Sequence, residues 1–237
     1  MSDRPAVTAV LALSGRGSLP FESLHRLPLY LHALRSLAAS GASEVVVAVD
    51  EDQWERVARG VRRAGLPAEV LGGHGWWGHV VATATAGLLV HDVLCPLASA
   101  DFLRDVRRDV AGRPDTSLLA FRPVTDTVKT VVAGRIQGTI DREGLAALVS
   151  PVVVAPTLLA AAVASDDRPP IDDFTRLAAW LRDRGEVDLV RAPSLARRVD
   201  DASAVNLLEC VDELARRVRK EPGGAVAVTD AAGPGTR

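Results

Sequence analysis

A mostly parallel, doubly wound α/β sheet with a projecting β-arm is the fold this sequence predicts, and three observations predict it. Short β-branched runs alternate with longer Ala/Leu/Arg stretches of helical period, the pattern of buried parallel strands covered by helices on both faces. The 237 residues are 48% apolar but only 4% aromatic, so the core of a sizeable α/β domain must be built from Ala, Val and Leu. Residues 123–143 hold two β-branched runs with little core-filling surface, joined by a short turn at Gly134-Arg135. That segment reads as a hairpin standing off the sheet.

Each element follows from local pattern. Residues 6–13 (AVTAVLAL) form a buried first strand, and Pro28 opens a helix over 28–40. The run 44–50 (EVVVAVD) is a second strand, followed by a charged amphipathic helix over 51–64 that ends near Gly65. A short strand at 67–71 leads through a glycine-rich loop to a helix over about 79–87. Residues 88–92 (LLVHD) are a strand ending in an acid, 99–111 a helix, and 116–122 (TSLLAFR) an extended run that enters the arm at 123–143. A strand at 149–155, helices at 156–165 and 172–184, a strand at 187–191 and a helix at 204–219 complete one domain over 1–220. The tail 221–237 is rich in Gly, Pro and Ala without apolar period and is expected to be disordered. No internal repeat is present.

Charge and cysteine usage exclude several classes. Formal net charge is −2 with acids and bases interspersed, which gives no footprint for nucleic acid and no polybasic membrane patch. Cys95 and Cys210 lie far apart in no metal-like spacing, so a reducing compartment fits. No apolar run reaches the ~18 residues of a membrane span. The N-terminus lacks the form of a signal peptide, and a cytoplasmic location is expected.

Candidate chemistry gathers at strand ends. Ser14-Gly15-Arg16-Gly17 follows the first strand, at the carboxyl edge where doubly wound sheets bind ligands. Its glycines let backbone N–H groups close on a phosphate; an ordinary tight βα turn is the other reading. Residues 72–79 (GGHGWWGH) set two of four tryptophans among glycines. They read as a surface loop with tucked indoles, or as indoles offered to a base. His74 and His79 show no third ligand for a metal. Asp92 ends Val90-His91-Asp92, and it either caps the next turn or gives a hard cation an oxygen ligand. The arm carries Asp126, Thr127 and Arg142, either solvated charges or, through Arg142's planar fork, a grip for a phosphomonoester.

The arm sequences Pro123-Val124-Thr125-Asp126-Thr127-Val128-Lys129 and Thr139-Ile140-Asp141-Arg142 carry a further signal. With the Gly-x-Gly turn and Val90-His91-Asp92, they closely resemble the 2-C-methyl-D-erythritol 4-phosphate cytidylyltransferase family, over about residues 6–218. The resemblance implies a nucleotide-diphospho-sugar transferase-like fold that is homodimeric through the arm. It implies CTP and a sugar or polyol phosphate as ligands, with Mg²⁺ at Asp92. Arg16 and Arg198 would be catalytic cations, and Ser14, Gly15, Gly17, Gly72 and Gly73 would bind nucleotide. Asp126, Thr127 and Arg142 would bind the polyol phosphate of the partner subunit.

Departures from the family pattern fall mainly in the nucleotide half. Phe21 stands in place of a lysine, and Leu19, Trp76 and Cys95 in place of other cations. Ser150-Pro151 replaces a Thr-Pro-Gln run, and Ile171-Asp172-Asp173 lacks a threonine. The chain holds only Lys129 and Lys220, so no nearby lysine substitutes by a small shift. These losses imply weak or lost cytidylyl transfer. The alternatives are a non-catalytic binding protein, one that pairs with an authentic family enzyme, and a nucleotidyltransferase with another substrate.

Overall fold

A computed structural model describes residues 7–84 and 86–220. The tail expected to be disordered, 221–237, lies outside the described residues. In chain order the elements are β1 (Thr8–Ala12), β2 (Ser23–Leu24), β3 (Leu27–Pro28), α1 (Leu29–Ala39), β4 (Glu44–Val49), α2 (Trp54–Ala64), β5 (Glu69–Gly72), α3 (Gly75–Thr83), β6 (Leu88–Asp92), α4 (Ala100–Ala111), β7 (Thr116–Pro123), β8 (Val128–Val132), β9 (Arg135–Ile140), β10 (Ala146–Val154), α5 (Pro156–Ser165), α6 (Phe174–Arg182), β11 (Glu186–Arg191) and α7 (Ala202–Lys220).

The main sheet has the order β11-β7-β10-β6-β1-β4-β5 and is parallel except where β10 runs against β6 and β7. The doubly wound α/β fold expected from the sequence is therefore present. Strand alternation sorts the core into two layers. Ala9 and Leu11 of β1 face a layer completed by Leu34 and Leu37 of α1, Leu103 and Val106 of α4, and Leu208 of α7. Val10 and Ala12 face the opposite layer, which holds Trp76, Trp77 and Val80 of α3 with Leu177 and Trp180 of α6.

The arm stands clear of both layers. β8 and β9 form a two-stranded ribbon of their own, turning at Ala133 and Gly134, both at positive φ. Val131, Val132 and Ile136 are 58%, 56% and 70% exposed. β10 continues from the arm into the sheet, pairing Ala146 with Pro123, and so begins earlier than the strand expected at 149.

Two local differences from the sequence reading have clear causes. The helix expected over 79–87 instead starts at Gly75 and ends at Thr83, so the tryptophans lie on a helix rather than in a surface loop. Both indoles are buried, and Trp77 Nε1 donates to Asp166 Oδ1 at 3.0 Å. Burial of two large rings outweighs the poor helix propensity of the glycines. The β2–β3 hairpin was not expected, because its turn residues, His25 and Arg26, hold positive φ without being Gly or Asn. α7 clamps it: Glu209 accepts from the His25 backbone N–H at 3.0 Å, and Asp212 bonds the imidazole at 2.9 Å.

His91, fully buried in the central strand β6, makes stability pH-dependent. Ser150 Oγ accepts the Asp92 N–H at 2.8 Å and lies 2.5 Å from His91 Nδ1, while Nε2 has no partner among the described residues. Burial pushes the imidazole pKa down from 6.5 to about 4, against the upward pull of Asp92. The unfolded chain therefore takes up this proton first. Stability is intact above pH 6.5 and is lost as pH falls towards 4, by about 3 kcal/mol from this group. Half-buried His32, whose pKa burial also lowers, acts in the same direction. Thermal melts of the parent chain should fall steeply between pH 6.5 and 4.5, and His91→Leu should flatten that limb.

Among the described residues, no helix is long and apolar enough to cross a membrane.

Candidate active site

At the carboxyl edge of β1 and β6, a cleft of about 1130 Å³ opens beside the base of the arm. A smaller pocket of about 430 Å³ adjoins it, and Gly15 and Asp172 line both. Gly15 makes this closeness possible. Its φ is +75°, and a Cβ there would lie 3.2 Å from both Cβ and the carbonyl oxygen of Asp172.

Asp92 sits at the floor with its side chain 1% exposed. Arg16 Nε donates to Oδ1 at 3.0 Å and Arg198 Nε to Oδ2 at 3.1 Å, while the Leu94 N–H also reaches Oδ1 at 3.1 Å. Such a buried carboxylate is compensated by two guanidiniums. Burial alone lowers the Arg198 pKa, but Asp92 and then Asp200 raise it overall. A divalent cation needs carboxylate oxygens free to coordinate it. Both Asp92 oxygens are engaged, so this arrangement does not fit a metal at Asp92.

Arg16 is similarly committed. Its side chain is 5% exposed, and its remaining N–H groups donate to Ser14 O at 3.3 Å, Ile171 O at 3.2 Å and Asp172 O. It straps the 171–172 segment over the glycine turn, and has few donors left for a phosphate.

The glycine turns are occupied too. The Gly15 N–H donates to Asp50 Oδ2 at 3.1 Å, and the Gly73 N–H to Val49 O at 3.0 Å. The Glu51 carboxylate packs on Gly72 so closely that a Cβ there would clash with Oε2. Ser14 Oγ is buried without a partner among the described residues, in the residue that lines the smaller pocket.

The structure brings Gly15, Arg16, Asp126 and Arg198 to the cleft, over Asp92, and Ser14, Gly15 and Gly73 to the smaller pocket. Gly17, Gly72, Thr127 and Arg142 line neither. Arg142 is exposed at the arm base, where it donates to Thr125 O. His79 lies at the other edge of the sheet, bonded to Glu44 at 2.5 Å and 3.2 Å from Glu69, far from a role beside His74 or a nucleotide. Cys95 is buried, and burial with the nearby Asp92 pushes its thiol pKa well up, so it is inert. Phe21 lies edge-on to Tyr30 at 5.8 Å, with the Arg56 guanidinium 3.7 Å over its ring.

Sequence reasoning missed Asp50, Glu51, Arg122 and Arg197. Asp50 was legible, since it ends the EVVVAVD strand at the same edge as Asp92. The two arginines gave no signal, because Arg197 merely adjoins Arg198 in an unpatterned stretch and Arg122 is a lone cation at the end of the TSLLAFR run.

Comparison with known proteins bears on this geometry. The family model described as 2-C-methyl-D-erythritol 4-phosphate cytidylyltransferase matches residues 18–202. A protein of that name from Chromohalobacter salexigens is 37% identical over 93 residues, 39% of this chain and 35% of that protein. The chain thus spans about a third of the length of that curated relative. Among solved structures, the 4-diphosphocytidyl-2C-methyl-D-erythritol synthase of Anaerococcus prevotii superposes with a TM-score of 0.67 at 12% identity, covering 88% of this chain and 96% of that one. The 2-C-methyl-D-erythritol 4-phosphate cytidylyltransferase of Thermus thermophilus gives 0.63 at 21% identity, covering 86% and 98%. At these identities the two structures establish the shared fold. With the family match extending over most of the chain, the protein belongs to the 2-C-methyl-D-erythritol 4-phosphate cytidylyltransferase family.

Proposed function

We propose that this family member retains the polyol-phosphate half of the site, while cytidylyl transfer from CTP is weak or lost. The observation that carries the reading is the state of the nucleotide half. The Gly15 N–H is taken by the Asp50 carboxylate, Glu51 covers Gly72, and Arg16 is consumed by Asp92 and three carbonyls. A triphosphate needs counter-charge in a partly desolvated cleft, and here it meets carboxylates. A missing cation at a leaving pyrophosphate costs about 3–5 kcal/mol of transition-state stabilisation, or at least a hundredfold in rate.

Enzymes of this family are nucleotidyltransferases that commonly use a divalent metal. In this reading any Mg²⁺ arrives with CTP, because Asp92 has no oxygen to spare. A pyrophosphate-release assay with CTP, Mg²⁺ and methylerythritol phosphate tests the proposal. Turnover at least a hundredfold below that of a competent family enzyme supports it, and comparable turnover refutes it.

The arm supports a homodimer. A two-stranded ribbon exposing Val131, Val132 and Ile136 is barely stable alone in water, and a second copy supplies a surface to pack on. Thr127 and Arg142 line neither the cleft nor the smaller pocket of their own subunit, which fits a role in the partner's. Sedimentation at micromolar concentration should give a dimer. The same exposed arm also favours a second reading, a non-catalytic subunit that pairs with an authentic family enzyme.

A further inference from the structure

The β2–β3 hairpin and α7 meet in a cluster of side chains that takes no part in the cleft. His25 at the hairpin turn, and Glu209 and Glu213 one helical turn apart on α7, each offer a ligand atom, and these atoms all lie within 4.8 Å of one another. None of the three lines the cleft or the smaller pocket. The state of the imidazole follows from its neighbours. Buried Asp212, ion-paired with Arg216 at 2.7 Å, holds Oδ2 2.9 Å from His25 Nε2. An ionised carboxylate only accepts, so Nε2 carries the proton and donates it. Nδ1 of the neutral ring is then an acceptor, yet it faces a second carboxylate oxygen, Glu209 Oε1, at 3.2 Å. Two acceptors in that position need a positive charge between them, either a second proton on the ring or a bound cation. A proton bridges two atoms, whereas here a third group, Glu213, converges on the same place. Its counter-ion, the exposed Arg217, is 4.0 Å away and compensates it weakly.

We propose that His25 Nδ1, Glu209 and Glu213 bind a zinc-type divalent cation that pins α7 to the β2–β3 hairpin, with a fourth position left to water. One imidazole and two carboxylates supply two negative charges for a dication. The nitrogen ligand selects zinc or its neighbours over magnesium and calcium, which prefer oxygen alone. With zinc bonds of about 2.0–2.2 Å, tetrahedral ligand atoms stand about 3.4 Å apart. The His25–Glu209 separation of 3.2 Å is already close to that, and exposed Glu213 closes by turning its side chain. The surroundings hold the ligands in place. Asp212 fixes the ring from behind, and the His25 backbone N–H donates to Glu209 Oε1 at 3.0 Å. His79 makes the contrast, because its two nitrogens face different acids, Glu44 and Glu69, and no ligands converge on one side of the ring.

The test is calorimetric titration of zinc into the full, untagged, chelator-treated chain without nucleotide, with thermal melts in parallel. Parent, His25→Asn, Glu213→Gln and Asp212→Asn are compared, with circular dichroism to verify folding. Asn tolerates the positive φ of position 25, so His25→Asn removes the imidazole and keeps the turn. Cys210→Ser and His79→Gln control for zinc held by the exposed thiol or at the other sheet edge. The parent should bind one zinc ion with a dissociation constant of about 10 μM or tighter, and saturating zinc should raise its melting temperature by about 5 °C or more. His25→Asn should abolish binding, and Glu213→Gln should weaken it at least about tenfold. Asp212→Asn, which acts only through the ring, should weaken it about tenfold. Magnesium should produce no comparable shift in the melt. A parent that neither binds zinc nor gains stability would overturn the site and leave His25 a protonated ion-pair partner. Binding unchanged in His25→Asn or Glu213→Gln, or lost in Cys210→Ser or His79→Gln, would overturn it too, as would equal stabilisation by magnesium. Nucleotide is absent throughout, so the outcome is separate from that of the turnover assay.

Discussion

Asp92→Ala should destabilise the fold by about 3–5 kcal/mol, the largest effect expected of any single change in the cleft. The carboxylate is 1% exposed and neutralises two guanidiniums at 3.0 and 3.1 Å, one of which, on Arg16, is itself 5% exposed. Truncation leaves Arg16 charged in a nearly dry site and removes an acceptor from the Leu94 N–H. Arg198 is a third exposed and can turn to water and Asp200, so Arg16 carries most of the cost. Asp92→Ala combined with Arg16→Met should therefore recover much of the loss, since removing both buried charges is milder than stranding one. Urea unfolding of parent, single and double variants reads this directly. A shift below about 1 kcal/mol in Asp92→Ala would mean that the bridge does not hold the site together.

Restoring nucleotide binding is the second large effect. Asp50→Asn removes the carboxylate that caps the Gly15 N–H, and Leu19→Arg places a cation on the cleft wall that Leu19 lines. Each should tighten CTP about tenfold and the pair about a hundredfold, as expected for charge-assisted bonds to phosphate. Phe21, although it stands where the family has a lysine, is the poorer position. Its ring packs under Arg56 and beside Tyr30, and it lines neither pocket, so a lysine there meets another cation. Unchanged calorimetric affinity in the double variant would show that acids at the turn are not what weakens CTP binding.

The fold was largely legible because burial and period agree along most of the chain. β1, β4 and β6 are short apolar runs, and Pro156 and Gly65 mark a helix start and a helix end where the structure has them. The arm was legible from what it lacks, a face able to fill a core. Less legible was what depends on tertiary burial. Trp76 and Trp77 sit among glycines, and only packing against the sheet makes that stretch helical. The hairpin at His25 and Arg26 depends on acids from α7, almost the whole chain away.

The site divides in the same way. Gly15, Arg16, Asp92, Asp126 and Arg198 were identifiable from motif and strand-end position, and they do converge. Their charge state as a group was not identifiable. That Arg16 and Arg198 spend themselves on Asp92, and that Asp50 fills the turn, are facts of three-dimensional pairing between residues 35 to 106 positions apart.

A nucleotide half closed by its own acids and arginines should take up CTP poorly. Calorimetric titration of CTP with Mg²⁺ into the unmodified chain should give a dissociation constant of about 100 μM or weaker. Low-micromolar binding would instead mean that Arg16 and Asp50 release the turn to a triphosphate.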